Sequence, residues 1–249
     1  TQNYNVAVGY EAGKAVTTGT KNTLLGGLAG DALTDADHNV AVGGQALTTD
    51  TLGSRSVAIG QHALQVQNFT TATNSYNVAV GYDAGVAVTT GVNNTIVGGL
   101  AGDAITTGDY NVVLGMTTLS TNTAANKNVA IGAQALADFN VTTDTDTFNV
   151  AVGYAAGAAH TTGVRNTLIG GKVGDALTSG NNNTALGFNT LTTDTLGDRN
   201  VAIGSQALQT QNFTTSVDSY NTAVGFNAGG GVTTGVNNTI VGGLAGDAI

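Results

Sequence analysis

The run Gly26-Gly27-Leu28-Ala29-Gly30-Asp31, echoed at Asp103, Asp175 and Asp247, has the glycine-rich, acid-tipped character of a calcium-binding roll. In such rolls the Asp lies two residues after the third Gly, and consecutive coils supply the ligands. Here the Asp follows Gly directly and recurs only once in every four coils, which spaces the carboxylates roughly 19 Å apart in a stacked chain. Two of them in one chain cannot share an ion, and three symmetry copies of Asp31 meet only if that corner faces an axis. A surface turn is the plainer reading, so no metal is expected.

Catalysis needs a single constellation of nucleophile, base and stabilising groups. The three His do not build one. At the corresponding places in other copies of the repeat, His38 is matched by Tyr110 and Asn182, His62 by Gln134 and Gln206, and His160 by Val16, Val88 and Val232. They read as drift at tolerant surface positions, and the chain is expected to be neither an enzyme nor a cofactor binder. Thr pairs such as Thr17-Thr18, Thr48-Thr49 and Thr117-Thr118 fall at different distances from the nearest repeat start. They are therefore not expected to align into the flat ladder that adsorbs ice.

Polymer or receptor binding is better served by three longer loops, Gln65–Tyr76, Asp138–Phe148 and Gln209–Tyr220. Each brings an aromatic beside an amide: Phe69 with Asn68, Phe139 with Asn140, and Phe213 with Asn212. Such a loop could stack a sugar ring and hydrogen-bond its hydroxyls, making these residues candidate glycan contacts. Equally, each Phe could fold back over Tyr76, Phe148 or Tyr220 as a small satellite core, which the joint recurrence of the aromatics favours. Five of the seven cations (Lys21, Arg55, Lys127, Arg165 and Arg199) directly precede a repeat start. That recurrence fits either pairing with Asp of a neighbouring coil or chain, or solvated charges that discourage lateral aggregation.

What must position these loops is a repeat. Asn5-Val6-Ala7-Val8-Gly9 returns as Asn22 to Gly26, Asn39 to Gly43, Ser56 to Gly60, Asn77 to Gly81 and onward, fourteen times in all. From start to start the coils run 17, 17, 17 and 21 residues, giving a 72-residue super-repeat over 5–76, 77–148, 149–220 and a partial 221–249. A fixed period of this kind marks a solenoid, whose units bury apolar surface only by stacking on one another. Val or Thr follows each start, an aliphatic residue sits two further on, and the residue between them is also apolar. The sequence thus predicts a short strand that is apolar on both faces, closed by a Gly needing positive φ or close backbone approach. Asn5, Gly9, Asn22, Gly26, Asn39, Gly43, Gly60, Asn77 and Gly81 are the structural signature.

The expected fold is all-β, a parallel β-solenoid or β-roll forming one repetitive segment over residues 1–249, with fourteen coils stacking into a rod of roughly 65 to 70 Å. The chain reads as a window cut from a longer array. One face of the two-sided strand fills the coil; the other would be a long bare apolar stripe on a monomer. Closed cyclic symmetry removes it, which predicts a parallel homotrimer.

Composition narrows the partners. A net charge of −9 with seven Lys and Arg argues against nucleic acid. There is no Cys, hence no disulfide framework. No apolar run reaches the roughly 18 to 20 residues of a membrane span.

The runs Ser56-Val-Ala-Ile-Gly60 and Asn128-Val-Ala-Ile-Gly132 resemble the head repeat of trimeric autotransporter adhesins. Thr17-Thr18-Gly19 before Asn22-Thr-Leu-Leu-Gly26, and Thr233-Thr-Gly-Val-Asn-Asn-Thr-Ile-Val-Gly242, resemble the repeats of phage tail-fibre proteins. The resemblance covers the whole chain. It implies a trimeric left-handed β-roll fibre, extracellular on a virion tail fibre or bacterial cell surface, that attaches to host or surface glycans. The coils here are longer than adhesin head repeats. A monomeric β-solenoid adsorbing to ice or polysaccharide is the alternative.

Overall fold

The computed structural model describes residues 3–248; Ile249, the last residue of the partial fourth super-repeat, lies outside them. Over these residues the fold is a parallel β-solenoid without helices, and its coils fall into two compact units, essentially 3–126 and 127–248 with a few loop residues exchanged. In the first unit, three-residue strands at Val6–Val8, Thr23–Leu25, Val40–Val42, Val57–Ile59, Val78–Val80, Thr95–Val97 and Val112–Leu114 pair in register, each with the same strand one coil on. The second unit repeats this from Val129–Ile131 to Thr239–Val241. The fourteen predicted coils are therefore present, seven in each unit.

The direction of each strand face follows from side-chain size. The middle residue points inward: Leu24 is 1% exposed, and Ala41, Ala58, Ala79, Ile96 and Val113 are fully buried. Two further columns complete the core. The first, seven residues after the start, is mostly Ala (Ala29, Ala46, Ala63, Ala84). The second, eleven residues after the start, includes Leu33, Val88, Ile105 and Leu177, all at 0% exposure. Volumes compensate within a coil. Where Leu24 and Leu33 are large, Gly30 stands between them, and a Cβ there would come within 2.8 Å of both. In the next coil Ala41 is small and Leu47 takes the place of that Gly. In the first coil, where the middle residue is also Ala, the Gly makes room for the following coil instead, since a Cβ on Gly13 would lie 2.7 Å from Leu24 Cδ1. The Gly–Gly–Leu–Leu alternation thus follows from packing within and between coils, because interiors tolerate neither voids nor overlap.

Why nearly every coil starts with Asn is a hydrogen-bond question. Asn22 is fully buried. Its Nδ2 donates to the Ala36 carbonyl at 2.7 Å, fourteen residues on in its own coil, and its Oδ1 accepts the Asn39 backbone N–H at 2.9 Å. Asn39 repeats the pattern with Gly53 and Ser56, Asn94 with Gly108 and Asn111, and Asn166 with Gly180 and Asn183. One side chain thus closes its own coil and ties it to the next, satisfying a backbone carbonyl and a backbone amide that burial would otherwise leave costly. The closing Gly is forced by stacking. Gly9 sits at φ +134°, and a Cβ on it would lie 2.5 Å from the Gly26 carbonyl oxygen.

Candidate functional site

With the middle residues inward, the residues on either side of them face out. Val8 is 59% exposed, Val112 39%, Leu114 44% and Leu186 44%. One step beyond the closing Gly the same face carries Tyr10, Tyr82, Met116, Tyr154, Phe188 and Phe226, each more than half exposed. At these three positions no coil carries a single charged residue. A solvated sheet face ordinarily shows polar and charged side chains. This one shows mainly Val, Ile, Leu, Thr and aromatic rings.

No family model, curated protein or solved structure matches this chain. Its function is therefore argued from geometry.

The long loops of the fourth coils do not present their Phe rings. Phe69 and Phe213 are 6% exposed and Phe139 is fully buried. The Phe69 ring lies against Gly53, where a Cβ would be 2.7 Å from its Cδ2. The side-chain amides beside Phe69 and Phe213 serve the ladder: Asn68 Oδ1 accepts from Thr51 Oγ1 at 3.1 Å and Asn212 Oδ1 from Thr195 Oγ1 at 3.2 Å, while at Asn140 it is the backbone N–H that donates to the Thr161 carbonyl, at 2.9 Å. What the loops carry beyond them is Thr70-Thr71-Ala72, Thr142-Thr143-Asp144 and Thr214-Thr215-Ser216, all of them exposed. A sugar reaching a loop meets hydroxyls and carboxylate there.

Phe139 also occupies a different place from Phe69. It lies one super-repeat after Gln67 and holds the core position of that Gln, while Val141 corresponds to Phe69. Beneath the loops of the first and third super-repeats sits a buried carboxylate. Asp50 accepts Gln67 Nε2 at 2.6 Å, the Gly53 N–H at 3.0 Å and the Phe69 N–H at 3.1 Å. Asp194 has the same three partners in Gln211, Gly197 and Phe213. Burial pushes both carboxyls above their ordinary range, against the lowering effect of those donors.

The three His are not alike. His38 is exposed, and His62 Nδ1 lies 2.9 Å from Asp83 Oδ1. His160 departs from the reading of surface drift: it is fully buried and stacks on Phe139 with ring centroids 5.5 Å apart and planes 7° off parallel. Its Nε2 is 2.9 Å from the Gly163 carbonyl and its Nδ1 is 3.2 Å from that of Leu177. Burial pulls its pKa down from the ordinary value, and the two carbonyls oppose that.

The Thr residues do align, contrary to the expectation from pairs. Twelve residues after each start, three coils in succession carry Thr and the fourth Asn: Thr17, Thr34, Thr51, Asn68, then Thr89, Thr106, Thr123, Asn140. The column is legible when single positions are counted from the Asn. Its hydroxyls donate to the next coil's carbonyls, Thr34 to Thr51 at 3.1 Å and Thr178 to Thr195 at 2.9 Å. That leaves them committed to the backbone.

Of the cations before a repeat start, three lie over the aromatic that ends the following coil: Arg55 over Tyr76, Lys127 over Phe148 and Arg199 over Tyr220, at 5.7, 5.3 and 5.5 Å. Lys127 also pairs with Asp146 at 2.5 Å and Arg199 with Asp218 at 3.2 Å, one turn of the solenoid along, as one reading expected. Arg55 bonds Asn74 instead, at 3.0 Å. Among the described residues no three His, Asp or Glu gather as a metal site, and no helix is long and apolar enough to cross a membrane.

Proposed function

We propose that this chain is a structural, receptor-facing segment of an extracellular trimeric fibre, on a phage tail fibre or a bacterial cell surface, that mediates attachment. The observation that carries the reading is the outward sheet face, rich in apolar side chains and without a charge in any coil. Three parallel copies around an axis would bury that face in the manner of a divided core and would close without open-ended growth. The fourth-coil loops, with hydroxyls and carboxylates at their tips, are the groups left to meet a glycan. Their recurrence along a fibre turns weak contacts into avidity.

Light scattering tests the assembly. The expected mass is three times the 24.6 kDa of one chain, and a single-chain mass would favour the monomeric solenoid adsorbing to ice or polysaccharide. Attachment is tested on a glycan array with Thr70, Thr71, Thr142, Thr143, Thr214 and Thr215 changed to Ala. Unaltered binding by that variant would remove the loops from recognition.

A further inference from the structure

The first coil of each later super-repeat brackets its strand with aromatic rings at both ends. Tyr76 and Tyr82 flank Asn77–Gly81, Phe148 and Tyr154 flank Asn149–Gly153, and Tyr220 and Phe226 flank Asn221–Gly225. All six are exposed, from 48% for Phe148 and Tyr220 to 57% for Tyr154. Six residues along a strand separate the two rings of a pair, roughly 20 Å, whereas aromatic pairs meet at about 4.5–7 Å between centroids. Two such rings on one strand cannot satisfy each other. Arg55, Lys127 and Arg199 sit over the opening rings, leaving their other faces bare.

The second coil of the first, second and fourth super-repeats has the opposite size pattern. Its strand closes on Gly27, Gly99 or Gly243 and opens on Lys21, Asn93 or Asn237. Nothing in the neighbouring coils requires Gly27 or Gly99: a Cβ on either meets no atom within 4 Å, and their φ lies outside the left-handed region. An open position held as Gly points to a neighbour outside the chain.

We infer that the ring closing a first-coil strand in one copy packs on the ring opening the same strand in the next copy, and that the glycines of the following coil receive the neighbour's long polar side chain. This rests on the three-copy assembly proposed above. Parallel copies around an axis set the end of a strand in one beside the start of the same strand in the next, a head-to-tail contact that closes into a ring. Ring then meets ring at the first coil, and Lys21 or Asn meets Gly at the second. A belt of six rings recurs once per super-repeat and fixes the copies at equal height, because a slip by one coil would set the closing ring against Asn93, Arg165 or Asn237 in place of a ring.

The chain contains no Cys, so engineered thiols report cleanly. Tyr76→Cys with Tyr82→Cys in one chain, treated with a short bifunctional maleimide, is expected to give a covalent three-chain product on denaturing electrophoresis. Either substitution alone should remain a single chain. Phe148→Cys with Tyr154→Cys makes the same measurement in the second unit, should the first pair impair folding. A particle of three-chain mass that yields no three-chain product from either pair would overturn the belt and leave the trimer standing. Self-linking of the single variants would overturn the head-to-tail arrangement, since each residue would then meet its own copy. A single-chain mass for the unaltered protein would remove the assembly and the belt together.

Discussion

The core of the fourth coil is built in two ways within one chain. In the first and third super-repeats Gln67 and Gln211 fill it, each donating to a buried Asp one coil earlier, and the Oε1 of each accepts from the next Asn, Asn77 or Asn221, at 2.8 Å. In the second, Phe139 fills the same place, Asn122 stands where the Asp would be, and His160 replaces the usual Val. Asn122 is bonded within its own turn, accepting the Ala125 N–H at 3.1 Å, and the Phe139 ring gains His160 as a stacking partner. A buried carboxylate is retained where its donors are complete, and where the Gln is lost the carboxylate is lost with it. The difference shows that these core positions change as a set, because a half-satisfied polar network costs more than an apolar core.

The largest effect should come from breaking the apolar version. Phe139→Ala removes a fully buried ring and leaves the imidazole of His160 without its stacking partner; about 3–5 kcal/mol of local stability should be lost. Hydrogen exchange in the segments around Phe139 and His160 checks this, and Phe139→Ala together with His160→Val should not recover the loss, because the void remains. Breaking the polar version should cost less. Gln211→Phe takes one donor from Asp194 and one acceptor from the Asn221 amide, a loss of about 1–3 kcal/mol. Adding Asp194→Asn should return much of it, by analogy with Asn122 and Phe139 in sequence register. If the double variant were no better than the single, the set-wise reading would be wrong.

The two versions should also respond to pH in opposite directions. Burial raises the folded-state pKa of Asp50 and Asp194 above the ordinary 3.8, so the folded chain holds those protons more tightly than the unfolded chain. Their contribution is complete below 3.8 and is lost as pH rises through the folded value. Burial lowers the pKa of His160 from 6.5, so its contribution is present above 6.5 and is lost as pH falls through the depressed value. Amide protection around Asp50 should weaken as pH rises from the acid range to neutrality, after correction for intrinsic exchange. Protection around His160 should weaken on acidification, and His160→Val should abolish that response.

The solenoid and its coil boundaries were legible in the sequence because the Asn and Gly positions recur at intervals that stacked coils require. The facing of the strand was not, since Val6, Ala7 and Val8 are all apolar. It is decided by the room beneath the strand, which admits Ala or Val beside a Leu, and Leu or Ile where a glycine such as Gly30 or Gly102 yields space. Phe139 was misplaced by matching residue type within a loop, where counting one full super-repeat puts it on Gln67. The Thr column was hidden for a similar reason: of the pairs, Thr17-Thr18 enters it, while Thr48-Thr49 and Thr117-Thr118 begin nine and six residues after their starts and miss it. The role of Asn22 was invisible because its partner, the Ala36 carbonyl, is a backbone atom fourteen residues away that pattern alone does not connect.

The smallest effect expected is at the acids outside the core network. Asp31 and Asp103 each have an Oδ1 that is buried without a hydrogen-bond partner, unlike Asp50, whose two oxygens accept three donors. Burial pushes the Asp31 carboxyl up, Glu11 adds to that and Lys14 opposes it; Asp103 is raised by burial and by Asp83. Burial and the neighbouring acid outweigh the backbone N–H groups that favour each anion, those of Asp31 and Ala32 and of Asp103 and Ala104, so the charge itself gains little. Asp31→Asn and Asp103→Asn should therefore shift stability by no more than about 0.5 kcal/mol, read from melting midpoints beside those of Gln211→Phe. A loss approaching that of Gln211→Phe would mean that the unpartnered oxygen has a partner outside the chain, either a cation or a neighbouring copy. The distinction between networked and solitary acids would then have to be drawn on the proposed assembly and not on the chain.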